Sequence, residues 1–472
     1  MKSATKCSGP VSRRNFLQVG SAALGGLGLA DLLRLRAAGA TDGHKADHSV
    51  IFIWLPGGPP HMETYDMKPA ATLDYRGEFR PIATNVPGLD VCELMPRHAK
   101  IAHKYNIIRS VAHNFADHGG GHKKFLTGRD PKEPTGFVND FPMVGSIVAK
   151  ESEGRKQTGL PSYICGADGG RTQVDTFSFG SAYLGSAYTP FTFGGDPSSP
   201  TFKIDNLGVS KEIEARLDDR LKLLSGFDNL RRGFERSDVM NSLDKFNQQA
   251  VSLMLSPQAR EAFDLSRESE VLRDRYGRHA WGHRALLARR LVEAGCNFVT
   301  MVMENPYISG VPWLKEGTYN WDSHAVNCHM FHDLRVRLPI YDQAITALVE
   351  DLEERGLTKK VLLIVTGEFG RTPRITTTAG SQTGVMQPGR DHWPQAMSML
   401  VSGGGMRTGQ VIGSTNPKGE YPLDRPLSPN DLWATRYRHL GIDSSVSYPD
   451  HSGRPMPILP DGQVIDELLP VA

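Results

Sequence analysis

The sequence has little that would staple, anchor or charge it. Its 472 residues hold five cysteines, and no two are spaced C-x-x-C, which excludes a cysteine zinc site or a dithiol redox motif. Cys7 falls in the N-terminal segment. The other four, Cys92, Cys165, Cys296 and Cys328, are widely spaced and read as buried thiols, with one or two disulfides as the alternative in an oxidising compartment. Cys328 beside His329 would suit a nucleophile and its base, but no other residue supports that pairing. Charge is balanced too: 54 Lys and Arg against 52 Asp and Glu give a formal +2. There is no basic block and no basic-aromatic interleaving, so nucleic acid is not an expected partner. After residue 40 no uncharged run reaches the roughly eighteen residues of a membrane helix, so no permanent span is expected. Internal repeats and long low-complexity tracts are also missing.

What is present begins at the N-terminus. Ser12-Arg13-Arg14-Asn15-Phe16-Leu17 resembles the twin-arginine export signal. A weakly apolar segment from Val19 to Leu33 comes next, and Ala38-Gly39-Ala40 offers a small-residue cleavage site. Asp31, Arg34 and Arg36 interrupt the segment too early for a membrane span. Residues 1–40 therefore read as a signal peptide and 41–472 as the mature domain. The expectation is a periplasmic or otherwise exported protein whose partners include the twin-arginine export machinery. That route carries folded proteins, often with a cofactor already loaded, which points to a metal acquired in the cytoplasm.

Downstream, buried-strand patterns end repeatedly in polar clusters. Val361-Leu362-Leu363-Ile364-Val365 stops at Thr366-Gly367-Glu368, so a strand buried on both faces delivers a carboxylate at its carboxyl end, where open α/β sheets bind ligands. A structural pair between Glu368 and Arg371 is the simpler alternative. Ser49 to Leu55 reads as another such strand and runs into Pro56-Gly57-Gly58, with Glu63 and Asp66 beyond it. Ile107 to Val111 leads to His113, His118 and His122, grouped around Asp117 and Gly119-Gly120-Gly121. Three imidazoles and an acid exceed what a solvated loop requires, and favour metal or catalytic use. Asn297 to Met303 is a further strand. In Asn320-Trp321-Asp322-Ser323-His324 an acid and a histidine stand two apart in a loop, able to turn toward one ion. Gly389-Arg390-Asp391-His392-Trp393-Pro394 then leads into a strand over Met397 to Val401.

Between these clusters, Gly154 to Pro200 reads as loops with short strands walling a site. Residues 205–295 turn helical in pattern, with Ile213, Leu217, Leu221 and Leu224 and later Leu286, Leu287, Leu291 and Val292 at helical spacing. They read as a helical insertion or an outer layer. Long helices are expected over about Asp333 to Arg355 and Pro429 to Leu440. The fold class is α/β: a mostly parallel central sheet flanked by helices.

Taken in order, these clusters resemble the alkaline phosphatase and sulfatase superfamily, and more closely the exported sulfatase-like proteins grouped as domain of unknown function family 1501. The resemblance spans roughly Ser49 to Asp443. It implies an alkaline phosphatase/sulfatase-like fold and one or two divalent metals held by an acid after the first strand, an Asp/His pair, an acid after a buried strand and a final histidine. Glu63 (or Asp66), Asp322 with His324, Glu368 and His392 fall in that order. Sulfatases carry C-x-P-S-R-x-x-x-L-T-G-R, whose Cys becomes the formylglycine nucleophile. Here Leu126-Thr127-Gly128-Arg129 stand in the same phase, but His118 occupies the nucleophile position and His122 that of the Arg. A formylglycine route is therefore closed.

The resemblance implies a metal-dependent hydrolase of sulfate or phosphate esters, on small molecules or polysaccharides. His118 and His122 are the candidate catalytic residues, and Glu63, Asp322, His324, Glu368 and His392 the candidate ligands. Lys123 and Arg129 are candidates to bind the anion, with Arg371 and Asp391 supporting the ligands. So many imidazoles suit Zn²⁺, Mn²⁺ or Fe²⁺ better than Ca²⁺. The alternative is a non-catalytic relative that binds a glycan or an envelope partner.

Overall fold

The computed structural model describes residues 48–153, 159–168, 177–204, 207, 238–308 and 310–469. Residues 1–40, expected to be a signal peptide, and the periodic stretch Ile213 to Leu224 lie outside the described residues.

Eight strands form one sheet. They are β1 (Ser49–Trp54), β2 (Asn106–Val111), β3 (Tyr163–Gly166), β4 (Phe191–Phe193), β5 (Phe298–Val302), β6 (Val361–Thr366), β7 (Met397–Gly403) and β8 (Val411–Ile412). Their spatial order is β8-β2-β7-β6-β1-β5-β3-β4. All pairings are parallel except those of β7, which runs antiparallel to both β2 and β6. The expected class, α/β with a mostly parallel sheet flanked by helices, is the one observed.

The sequence patterns explain the layers. In β1 every residue is buried, and side chains alternate between two cores: Val50, Phe52 and Trp54 face one, Ile51 and Ile53 the other. Such a strand has helices on both faces. The first core is shared with helices α1 (His118–Thr127), α2 (Val144–Glu151) and α5 (Pro429–Leu440). The second is shared with α3 (Ala280–Glu293) and α4 (Met330–Glu354). Pro429 to Leu440 is helical as the sequence predicts, with Ser428 and Asp431 closing a capping box and left-handed Gly441 ending the helix. The expected loop region Gly154 to Pro200 supplies β3 and the edge strand β4 of the main sheet. Helices over Asp238–Leu255, Pro257–Phe263 and Glu270–Tyr276 precede α3. Cys92, Cys165, Cys296 and Cys328 are buried free thiols. Burial pushes the Cys328 thiol far up, which removes it as a nucleophile. Among the described residues no helix is long and apolar enough to cross a membrane.

The direction of β7 decides where the polar segments gather. β1, β2, β5 and β6 end at one edge of the sheet, and β7, running the other way, begins there. Five adjacent strands, β2-β7-β6-β1-β5, thus bring the segments after Val111, Trp54, Val302 and Thr366, and the one before Met397, to one place.

Candidate metal centre

Each of those segments contributes one part. The turn after β1 carries Gly57, whose N–H donates to Glu368 Oε1 at 2.8 Å. Gly57 has φ +106°, and a Cβ there would lie 2.4 Å from the backbone nitrogen of Asp322, so only glycine lets the two loops meet. After β2, Asp117 caps α1 by accepting from the N–H groups of Gly119 and Gly120. Gly119 has no room for a side chain: its Cβ would lie 2.1 Å from the carbonyl of Gly136. This close approach seats the first turn of α1, and hence His118 and His122, over the end of β6.

Glu368, after β6, is fully buried. His118 Nδ1 lies 2.7 Å and His122 Nε2 3.2 Å from its Oε1, while its Oε2 has no hydrogen-bond partner among the described residues. His113 Nε2–H donates to the Glu368 carbonyl at 2.6 Å and fixes its backbone. Burial lowers the His113 pKa to about 4, which keeps the ring neutral in this role.

The loop between β5 and α4 supplies Asp322 and His324, and the approach to β7 supplies His392. Asp322 Oδ1 lies 3.0 Å from His324 Nε2 and 3.2 Å from His392 Nε2, and the two nitrogens are 2.8 Å apart. Both tautomers are set from outside. His324 Nδ1–H donates to Asp391 at 2.7 Å, and His392 Nδ1–H donates to the carbonyl of Ala116 at 2.6 Å. In these tautomers each ring turns its Nε2 lone pair, not a proton, toward the other and toward a carboxylate oxygen. Three acceptors gathered at such distances fit a cation between them. The fully buried Arg371 guanidinium donates to Asp322 Oδ1 at 2.7 Å and to the carbonyl of Gly58 at 3.0 Å.

His118 joins the two groups. Its Nε2 is 3.4 Å from Asp322 Oδ2, so the imidazole spans both carboxylates. Two sets of possible ligands result, His118, Asp322 and His392 in one and His118, His122 and Glu368 in the other.

These contacts set the charges. Burial alone would raise the Asp322 carboxyl, but the Arg371 guanidinium, with His118 beside it, outweighs burial and holds the group far below the usual range. Glu368 is likewise lowered, burial being overcome by His122 and His118. For His118 burial is overcome in the other direction: hydrogen bonds to Asp322 and Glu368 push it up to about 9. His392 is lowered by burial, with Arg371 and His118 adding to the effect against Asp322.

The structure thus brings together His118, His122, Asp322, His324, Glu368 and His392, with Asp391 and Arg371 behind them as supports. Other expected members stand elsewhere. Glu63 does not reach the cluster, because both its oxygens bind Arg390, at 2.9 and 2.5 Å, in a fully buried pair. Asp66 accepts from Lys68 at 2.8 Å and from Thr415. Lys123 is turned away: its Nζ donates to the carbonyls of Glu133 and Thr135 at 2.9 and 3.2 Å. Arg129 donates to the Pro457 carbonyl and lies over the Phe141 ring at 5.2 Å, so neither cation is placed to bind an anion at the cluster. Arg371 supports Asp322, not Glu368. The Gly57 N–H and the role of His113 are additions; the glycine turn at the end of a buried strand was the signal for the first.

Above the cluster opens a cavity of about 690 Å³, lined by Gly57, His118, His122, Phe177, Trp313 and Asp322 among others.

Among solved structures the chain is similar to a sulfatase from Pseudoalteromonas sp. (12% identity, 86% of this chain and 71% of that one, TM-score 0.34). It is similar to an alkaline phosphatase from the Antarctic bacterium TAB5 (11%, 83% and 98%, TM-score 0.36), and to a phosphonate monoester hydrolase from Silicibacter pomeroyi (12%, 89% and 76%, TM-score 0.31). No curated protein matches the sequence. The family described as "Protein of unknown function (DUF1501)" matches residues 47–469, and the chain belongs to that family.

Proposed function

We propose that this protein is an exported, metal-dependent hydrolase of sulfate or phosphate esters. The observation that carries the reading is the convergence of Asp322 Oδ1, His324 Nε2 and His392 Nε2, all acceptors, with each imidazole oriented through its other nitrogen. A set of two imidazoles and a carboxylate suits Zn²⁺, Mn²⁺ or Fe²⁺ over Ca²⁺. Glu368 and His122 offer a carboxylate and an imidazole beside it, and the Glu368 Oε2 is without a partner among the described residues. When bound, a divalent ion supplies Lewis acidity toward an ester oxygen.

The remaining work falls to the chain. Arg371 and Asn327, the latter donating to Asp322 Oδ2 at 3.0 Å, hold the Asp322 carboxylate in place. Asp391 and the Ala116 carbonyl orient His324 and His392. His118 spans Glu368 and Asp322 at the cavity and holds a proton within reach of a leaving oxygen. No cysteine stands at the formylglycine position, no thiol among the described residues belongs to the cluster, and His118 holds a proton, so water is the nucleophile and no covalent intermediate is required. The twin-arginine signal gives the export route and the stage at which metal is acquired.

Turnover of a panel of sulfate and phosphate esters by metal-loaded protein is the test. Loss of turnover in His118→Ala with metal retained supports the reading. Ester binding without any turnover supports the binding module instead.

A further inference from the structure

Resting on the ester-hydrolase reading of this site, the geometry points to a sugar ring as the group that fills the cavity beside the metal cluster, stacked on Trp313. A cavity of about 690 Å³ lies within the roughly 300–1,000 Å³ that holds a drug-sized ligand. An oxyanion alone would leave most of it empty. The walls are aromatic: Phe137, Phe177, Trp313 and Tyr319 all line it.

Trp313 is 53% exposed, and Phe137 38%. A large indole face left in water at a cavity mouth is a feature of binding surfaces. This indole is also backed. The Tyr307 ring packs against it at 5.0 Å and 65°. The Tyr307 hydroxyl donates to Asp333 at 2.8 Å, and Asp333 is held by Arg337 at 2.8 Å and by the N–H of Thr318 at 3.0 Å. Thr318 itself lines the cavity. The same buried ion pair therefore fixes the aromatic platform and one wall of the site.

The rest of the lining decides between occupants. Asn320 and Gln382 lie among the aromatic rings. Asn320 accepts, through Oδ1, from the N–H of Asp322 and the hydroxyl of Thr318, both at 3.2 Å, so its oxygen is committed and its amide N–H groups are what it has to offer at the cavity wall. An acyl chain would desolvate such amides without satisfying them. A flat aryl group would use the rings alone. A pyranose ring presents C–H groups to an aromatic face and hydroxyls at its edge, and so matches both parts of the lining.

The test is calorimetric binding of a neutral dextran hexasaccharide, its sulfated counterpart and 4-nitrophenol to wild type, Trp313→Ala, Trp313→Tyr and His392→Ala. Both saccharides should bind wild type, about tenfold more weakly to Trp313→Ala, with affinity regained in Trp313→Tyr. The neutral saccharide should bind His392→Ala as it binds wild type, so a failure of the metal-dependent reading and a failure of the sugar platform are read separately. Because Trp313 is half exposed, its variants should keep the wild-type unfolding temperature. Saccharide affinity unchanged in Trp313→Ala, absent saccharide binding, or Trp313-dependent binding of 4-nitrophenol alone would each overturn the assignment.

Discussion

At the scale of the residue, function depends on which partner each charged group meets. Asp391 touches no candidate ligand atom directly, yet it sets the His324 tautomer at 2.7 Å. Asp391→Ala should therefore weaken metal affinity by about 10- to 100-fold while leaving the fold intact, as measured by competition with a chromophoric chelator. Glu63 gives the opposite expectation. Glu63→Ala strands the buried Arg390 and should cost about 3–5 kcal/mol in urea unfolding, with metal content unchanged. The two residues show what sequence can reveal. A carboxylate shortly after a buried strand looks the same whether it meets an ion or an arginine 327 positions away. Lys123 and Arg129 are cations near the cluster in sequence, but α1 points Lys123 to the carbonyls of Glu133 and Thr135, and Arg129, just past the end of α1, donates to the carbonyl of Pro457; a motif read in phase does not record which way a side chain faces.

At the scale of the element, the strand ends were the most legible part of the chain. Val361 to Thr366 and Ser49 to Trp54 are buried on both faces, as their unbroken apolar runs imply, and each delivers its polar residues where the cluster forms. The direction of β7 was not legible, because an apolar run has no arrow. Only pairing with β2 and β6 shows that His392 precedes a strand starting at the edge where the cluster forms. Nor does the sequence say which glycine is indispensable. Gly57 combines φ +106° with contact against the Asp322 backbone. Gly57→Ala should displace both loops and lower bound metal well below one equivalent in protein that still folds, whereas Gly88→Ala, where a Cβ meets nothing within 4 Å, should leave metal content unchanged. Elemental analysis of the two variants checks this.

At the scale of the whole molecule, buried neutral histidines set the acid limit of the fold. Burial lowers His61 and His279 to about 4 and His439 to about 3, from 6.5. Between those values the unfolded chain binds protons that the folded chain refuses, so stability rises with pH there. It should be fully present above about pH 6.5 and fall progressively toward pH 4. Urea midpoints across that window check it, and a flat profile would contradict it. The α/β class and the order of the polar clusters could be read from the sequence because they depend on local pattern. The grouping of His118, Asp322, Glu368 and His392 depends on strand order, which only the folded chain reveals.

The central claim is that this grouping holds a metal, and the most direct test is elemental analysis of folded protein, comparing wild type, His392→Ala and His118→Ala. The expected result is one or two equivalents of Zn, Mn or Fe in wild type, loss of metal in His392→Ala, and metal without ester turnover in His118→Ala. Folded protein free of transition metal, or an unchanged metal content in His392→Ala, would contradict it.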